Sequence, residues 1–149
     1  MSDHALAPIR EEIEIAASVE KVWRTLTDAP RVSVWLGCMR YEARVGALFY
    51  MQQDGAKRAA DDISGATHCE ILALDAPTLF KFSWFMPGTP ATFVSFMLSP
   101  AAPGRTRLVF EHVGWEQFPA DAIRPIRDML AGGWASFVLP GLKRAVETG

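Results

Sequence analysis

The chain has 149 residues, of which 50% are hydrophobic and 21% are charged, so it is long and apolar enough to form one packed globular domain. Its formal net charge of −2 gives no reason to expect a nucleic acid or an anionic membrane as partner. No apolar run approaches membrane-spanning length, and residues 1–10 lack the charged start and apolar core of a signal peptide. We therefore expect a cytoplasmic protein with one domain over residues 1–149, in which residues 1–8 form a flexible tail.

The N-terminal part predicts a strand followed by two short helices. Isoleucine occupies three alternate positions of the strand, Ile9, Ile13 and Ile15, and Glu11 interrupts the pattern. Ser18 is a suitable N-cap for a helix that runs to about Thr27, and Pro30 breaks that helix. A second helix is predicted over residues 31–36, with Gly37 at its C-terminal end.

From Cys38 to Val113, short strand signals alternate with turn signals, which indicates an antiparallel meander. The predicted strands cover residues 41–45, 47–53, 68–74, 79–86, 92–98 and 105–113. Gly46 separates the first two of them as the turn of a hairpin. The polar stretch over residues 54–62 predicts a loop.

Alternation assigns one strongly apolar face to this sheet. On the last strand Phe110 and His112 share that face, whereas Glu111 points to the other side and is not a partner of His112. The same face carries Phe49, Met51, Phe80, Phe82, Trp84, Val94, Phe96, Leu98, Thr106 and Leu108. Gln53 is a weaker polar candidate there. Only a helix is available to cover this face.

The stretch from Asp121 to Glu147 is long and periodic enough to be that helix. At about 100° per residue, one side collects Ile123, Ile126, Arg127, Leu130, Trp134, Phe137, Val138 and Gly141. Pro125 predicts that a separate turn precedes the main helix, and Pro140 predicts a kink because proline cannot donate to the carbonyl of Ser136. The order of elements therefore predicts an α+β fold with the helix packed on one face of an antiparallel sheet.

Short pieces of sequence in a fixed order carry a family resemblance. They are residues 13–17, 19–23, 26–28 and 35–37, then Val45-Gly46 with Phe49, residues 75–77 with 80–84, and residues 106–108, 111–112 and 133–134. In these pieces the chain resembles the START/Bet v 1-like (SRPBCC) superfamily, and within it the family related to the C-terminal domain of the Hsp90 ATPase activator. The resemblance implies a helix-grip fold, in which a seven-stranded antiparallel sheet grips the last helix.

The resemblance also implies classes of function. Many relatives bind apolar or amphipathic small molecules in a cavity between sheet and helix, and others are cyclases, dehydratases or hydrolases. The eukaryotic co-chaperone of the family works with a further N-terminal domain for which this chain has no room, so we do not expect a chaperone partner. A homodimer remains open.

The candidate ligand site combines apolar lining with two polar handles. The predicted lining is Phe49, Phe82, Trp84, Phe96, Phe110, Leu130, Trp134 and Phe137. These residues either surround a ligand or fill the interior completely as core. Gly132 and Gly133, which cost helix stability, either let a strand approach closely or leave volume under the helix.

His112 and Arg127 are the polar handles. A histidine in the pocket could orient a ligand or act as an acid or base. The alternative, which we favour, is a structural histidine that is hydrogen-bonded at the strand end. Arg127 could meet a carboxylate or phosphate at the cavity mouth, or its stem could cover apolar surface while its charged head reaches water. The sequence shows no second polar group that converges on His112, so catalytic residues stay unassigned.

Other kinds of site find little support in the sequence. His68 precedes Cys69, but neighbours on a strand face opposite sides, and no further metal ligands follow at useful spacing. The sequence lacks a nucleophile elbow, a phosphate-binding glycine loop and a dinucleotide fingerprint. Cys38 and Cys69 permit a disulfide that a chain of this size does not need. We expect no metal and no cofactor.

Three functional hypotheses follow from these patterns. The first is binding of a hydrophobic or amphipathic small molecule between the sheet and the last helix. The second is an enzyme of the cyclase, dehydratase or hydrolase type that uses the same cavity, with His112 as general acid or base. The third is an interaction module of the co-chaperone kind.

Overall fold

The computed structural model of the protein describes residues 7–36, 38–52 and 54–148, and it contains a seven-stranded antiparallel sheet. The predicted roles of Gly37 as a helix cap and Gln53 as a polar residue of the inner face lie outside the described residues. The strands are β1 (Ile9–Ile15), β2 (Cys38–Met39), β3 (Leu48–Met51), β4 (Thr67–Asp75), β5 (Leu79–Trp84), β6 (Thr92–Ala102) and β7 (Arg105–Val113). Their order across the sheet is β1-β7-β6-β5-β4-β3-β2.

The helices frame this sheet. They are α1 (Val19–Thr27), α2 (Ala29–Trp35), α3 (Gly55–Ala59), a 3-10 helix (Trp115–Gln117), α4 (Ala120–Gly133), a π-helical turn (Trp134–Val138) and α5 (Leu139–Thr148). Trp134 packs on Phe110 of the inner face and α5 contacts β1, whereas α1 contacts β6 and β7 and α2 contacts β2. The predicted α+β helix-grip fold is confirmed.

The N-terminal predictions hold closely. The β1 strand begins and ends at the predicted isoleucines, and α1 starts after Ser18, whose hydroxyl accepts a hydrogen bond of 3.2 Å from the backbone N–H of Lys21. The second helix begins at Ala29, earlier than predicted. Pro30 does not precede this helix but lies in its first turn, where the missing N–H costs no hydrogen bond.

The predicted hairpin around Gly46 is wrong in its first half. The preceding strand that pairs with β3 is β2, with Cys38 opposite Met51, and residues 41–47 form a loop. The Tyr41 hydroxyl ties this loop to α1 by donating to the carbonyl of Thr27 at 2.7 Å. Gly46 has a positive φ of 88°, which lets its N–H donate to the carbonyl of Ile71.

The polar stretch predicted as a loop contains the short helix α3. The Asp54 carboxylate caps it by accepting hydrogen bonds from the backbone N–H groups of Ala56 and Lys57, at 2.9 and 3.1 Å. Local capping of this kind outweighs the weak periodicity of the segment, which is why the sequence pattern missed it.

The faces of the central strands are as predicted. On β7, Thr106, Leu108, Phe110 and His112 are all buried, and the residues between them are at least partly exposed. Phe80 and Phe82 on β5, and Val94, Phe96 and Leu98 on β6, are also buried. Burial of one face is sufficient to fix the strand register.

The C-terminal helix is divided at a different place from the one predicted. Pro125 lies inside α4, in its second turn, and the only hydrogen bond it gives up would go to Asp121, an exposed residue that water can reach. The interruption is the π-helical turn, where the N–H of Leu139 donates to the carbonyl of Trp134, five residues back. This turn lies directly before Pro140, which cannot donate to a helical carbonyl. The kink at Pro140 itself stays a prediction.

Candidate functional site

The space between sheet and helix is occupied by aromatic rings that contact one another. Phe110 lies 4.5 Å from Trp134 between ring centroids, and Phe96 lies 5.2 Å from Phe110. Phe49 and Phe82, 5.1 Å apart, extend the cluster toward β3. Each of these rings is at most 2% exposed, so they form the centre of the hydrophobic core.

His112 lies at one end of this aromatic cluster and is fully buried. Its Nε2 atom is 2.7 Å from the hydroxyl of Thr92, and its Nδ1 atom is 3.3 Å from the indole nitrogen of Trp134. The ring of Trp115 covers it at a centroid distance of 4.6 Å. Both ring nitrogens of His112 are therefore used by neighbouring side chains.

The partners of His112 determine its tautomer. The indole N–H of Trp134 can only donate, so Nδ1 must accept and carry no proton. The hydroxyl of Thr92 gives its proton to the carbonyl of Trp84 at 2.9 Å, so it accepts from Nε2–H. Burial lowers the pKa of His112 to about 3, and the histidine is neutral at physiological pH. Such a histidine has no free lone pair with which to accept a proton as a general base.

The turn after β7 holds Trp115 against His112. The indole N–H of Trp115 donates to the backbone carbonyl of His112 at 2.9 Å. Gly114 makes this turn at a positive φ of 102°, and a Cβ atom there would lie 3.1 Å from the Cα atom of Thr92. Only glycine fits this close approach of the turn to β6.

A partly open apolar pocket of about 310 Å³ lies beside this cluster, between the β5–β6 connection and the start of α4. The sheet side of its wall is formed by Trp84, Phe85, Met86, Thr89, Pro90 and Thr92. The helix side is formed by Trp115, Phe118, Ala122, Ile123, Ile126 and Leu130. Among the described residues that line it, none is charged.

The structure does not bring the predicted site residues together in one place. Trp84 and Leu130 line the pocket. His112 lies behind the wall, in contact with Thr92, as part of the core. The remaining aromatics that were predicted to line a ligand are found in the buried cluster, except for one: Phe49, Phe82, Phe96, Phe110 and Trp134 are buried, whereas Phe137 is not.

The predicted position of Phe137 on the inner side of the helix is wrong, because its side chain is 76% exposed. The cause is the π-helical turn, which adds one residue to a helical turn and rotates every later side chain backwards by about 100°. The residues that face the core after Trp134 are consequently Leu139, Leu142 and Val146. A regular helical projection misses this shift.

Arg127 does not line the pocket and is occupied elsewhere. Its guanidinium donates to the backbone carbonyls of Ala7, at 3.0 and 3.1 Å, and of Pro8, at 3.3 Å, and it pairs with Asp128. Its side chain is only 21% exposed. Arg127 thus ties α4 to the residues that precede β1.

The glycines of the C-terminal helix do not mark close contacts. A Cβ atom added at Gly132, Gly133 or Gly141 would meet nothing within 4 Å. The alternative that a strand approaches the helix at Gly132 and Gly133 is therefore wrong.

Several residues of the pocket wall were missed in the sequence. Phe85 forms an isolated bridge with His68 directly after β5, and Met86 and Thr89 follow in the connection to β6. Trp115 and Phe118 lie in and after the 3-10 helix, where no regular periodicity exists. The one available signal was the Gly114-Trp115 pair directly after the last strand, since glycine at a strand end marks an unusual backbone conformation.

The cysteines and carboxylates form no second site in the part of the chain that the structure describes. Cys38 and Cys69 are both buried and free, and burial raises the pKa of the Cys38 thiol to about 12. Burial also raises the pKa of Cys69 well above its usual value. No three His, Cys, Asp or Glu side chains are grouped to hold a metal ion within residues 7–36, 38–52 and 54–148. None of the described helices is both long and apolar enough to cross a membrane.

The sheet that grips the C-terminal helix, with two short helices inserted after the first strand, defines a START/Bet v 1-like α+β protein. Within this class the sequence can be placed more narrowly. The chain belongs to the Activator of Hsp90 ATPase homolog 1-like protein family, whose model matches residues 16–147. Among curated proteins, no sequence matches it significantly.

Solved structures agree with this fold. Protein MLL2253 from Mesorhizobium loti has a TM-score of 0.77 at 24% identity, over 95% of this chain and 98% of that one. The Aha1 dimer from Colwellia psychrerythraea has a TM-score of 0.71 at 22% identity, over 97% and 98% of the two chains. PFC0360w, an HSP90 activator from Plasmodium falciparum, has a TM-score of 0.70 at 16% identity, over 91% and 93%. Identities this low establish the shared fold alone.

Proposed function

We propose that this protein binds a hydrophobic small molecule in the apolar pocket between the β5–β6 connection and α4. One observation carries the proposal, namely a pocket of about 310 Å³ whose wall is almost entirely apolar and includes four aromatic residues: Trp84, Phe85, Trp115 and Phe118. Ligand sites in proteins are usually preformed concavities of this kind, in the range of about 300 to 1,000 Å³.

The position of the pocket adds support. Its wall includes Trp84 and Thr92, which are held from behind by the buried His112 cluster, so this side of the pocket is rigid. The rim is formed by Met86 on the sheet side and Ile126 on the helix side, which are 40% and 47% exposed. A rigid floor with an apolar rim favours binding because little conformational freedom is lost when a ligand enters.

The proposal is tested with N-phenyl-1-naphthylamine, an uncharged fluorescent probe whose emission rises in apolar surroundings. We expect saturable binding to the wild-type protein and its loss in Ala122→Phe, because the new ring would occupy the pocket beside Phe118. Ala135→Phe is the matched control, since Ala135 is exposed and lies outside the pocket wall. Equal binding to all three proteins, or to none of them, would contradict the proposal.

The geometry of His112 does not favour the enzyme hypothesis. A general acid or base must reach the reacting group of its substrate, whereas both nitrogens of His112 are bonded within the core. The neutral form of His112 serves instead to orient Thr92 and Trp134, and the pocket wall behind which it lies contains no other titratable side chain in the described residues.

A second candidate function is association with a second copy of the chain through α4 and the π-helical turn. The observation that favours it is the exposure of large apolar side chains there, at 67% for Met129 and 76% for Phe137, next to Ile126 at 47%. Apolar patches of this kind frequently mark protein interfaces. The structure of a relative described as the Aha1 dimer shows that association of two copies occurs on this fold.

A further inference from the structure

The ligand class can be narrowed, on the basis of the proposed function, from the size and the polar groups of the pocket. We infer that the pocket selects an uncharged molecule of about two fused rings and discriminates against its carboxylate analogue. Three features of the pocket support this selection: its volume, the absence of charge from its described wall, and the use of its side-chain protons in hydrogen bonds within the protein.

The volume sets the size of the ligand. An apolar cavity of roughly 150 Å³ accommodates benzene, and this pocket has about twice that volume, 310 Å³. Aromatic rings on both sides, Trp84 on the sheet and Trp115 and Phe118 on the helix side, offer faces and edges that suit a flat ring system.

The hydroxyl protons of the two threonines in the wall are already donated to backbone carbonyls. Thr92 donates to the carbonyl of Trp84 at 2.9 Å, and Thr89 donates to the carbonyl of Met86 at 2.7 Å. The indole N–H of Trp115 is likewise used by the carbonyl of His112. The two hydroxyls can therefore only accept a hydrogen bond from a ligand, and the indole N–H of Trp115 makes none with it.

A carboxylate that entered this pocket would lose its hydration without compensation. It would meet no cation, because the described wall has no charged residue and Arg127 is bound to Ala7 and Pro8. Burial of an unpaired charge costs far more free energy than burial of a neutral carbonyl.

One neutral donor remains available for such a carbonyl. The indole N–H of Trp84 has no hydrogen-bond partner among the described residues, and no buried side-chain nitrogen or oxygen there is left unsatisfied, so this N–H is accessible from outside the core. A single neutral N–H satisfies a ketone oxygen but does not offset the desolvation of a carboxylate.

Equilibrium dialysis with two probes of the same shape tests this inference. The probes are 2-acetylnaphthalene, which is uncharged, and 2-naphthoate, which is an anion at pH 7. We expect the ketone to bind at least about tenfold more tightly, a difference of about 1.4 kcal/mol. Ala122→Phe should abolish this binding, and Ala135→Phe should leave it unchanged.

The Arg127→Ala variant supplies a further check, because loss of a cation that does not line the pocket should change neither dissociation constant by more than about twofold. Binding of both probes with similar affinity, or selective loss of naphthoate in Arg127→Ala, would overturn the charge selection but leave the proposed function intact. Failure of both probes to bind, together with failure of N-phenyl-1-naphthylamine, would overturn the proposed function and this inference with it.

Discussion

The aromatic cluster in the core and the apolar pocket beside it are built from the same kinds of residue but end in opposite states. In the cluster, Phe110, Phe96 and Trp134 pack directly against one another, and both ring nitrogens of His112 are hydrogen-bonded. In the pocket, Trp84 and Phe118 face a volume of about 310 Å³ that no described side chain occupies. The difference shows that aromatic content predicts burial, whereas the connections between elements determine where space is left.

The largest loss of stability should come from removing a ring of the buried aromatic cluster. Phe110→Ala removes a fully buried ring in contact with Phe96 and Trp134, and we expect a loss of about 3–5 kcal/mol in the free energy of unfolding. Phe118→Ala, in the pocket wall, should cost less than about 2 kcal/mol because that ring is already partly exposed. Urea unfolding of both variants measures the contrast, and equal losses would show that the two regions are not distinct.

A smaller effect concerns the protonation of His112. Its pKa is lowered to about 3 in the folded protein, from an ordinary value of 6.5, so the unfolded chain binds more protons between these values. Stability from the neutral histidine is fully present above pH 6.5 and is lost as the pH falls toward 3, with a slope of up to about 1.4 kcal/mol per pH unit. The side chains in contact with the His112 ring, from Thr92, Trp84, Trp115 and Trp134, are all uncharged.

The comparison of wild type with His112→Gln isolates this contribution. Glutamine can still accept from Trp134 and donate to Thr92, but it does not titrate, so the variant should show a shallower decline of stability in acid. The pKa values of Asp62 and Glu147 are lowered chiefly by hydrogen bonds from the backbone N–H groups of Ser64 and Ala16. Protonation of these two carboxylates in acid therefore lowers the stability of wild type and variant equally. Identical slopes would contradict the assignment of a neutral, buried His112.

The smallest effect on stability should come from the exposed apolar residues of the C-terminal helix. Met129→Ser and Phe137→Ser together should change the free energy of unfolding by less than about 1 kcal/mol, because both side chains are mostly exposed. If these residues hold two copies together, sedimentation velocity will show a wild-type dimer that becomes a monomer in the double variant. A monomeric wild type, or a dimer that persists in the variant, would rule out this interface.

Much of the fold could be predicted because the central strands bury one face only. Alternation along β6 and β7 placed Phe96, Phe110 and His112 correctly, since any other register would expose the phenylalanines. The order of strands and helices also followed from turn signals and from the family resemblance. A hydrophobic pattern that buries one face of a strand predicts the structure correctly because tertiary packing favours the same arrangement.

The candidate site could be predicted only in part, because its wall is assembled from irregular segments. Ile123 and Leu130 were recognised on the inner side of the helix. Phe85, however, is held by an isolated bridge to His68, and Trp115 comes from a turn whose conformation depends on Gly114 and on its contact with β6. The role of Arg127 was also beyond the reach of periodicity, because its partners, Ala7 and Pro8, lie at the other end of the sequence.

The hydrogen bonds from Arg127 to the carbonyls of Ala7 and Pro8 have a practical consequence for handling the protein. Ile126, the residue before Arg127, lies on the rim of the pocket, so Ala7 and Pro8 are held against the helical turn that carries this rim residue. A long extension at that end is expected to hinder access of small molecules. Protein for binding measurements is therefore better made with its tag at the opposite terminus, after α5.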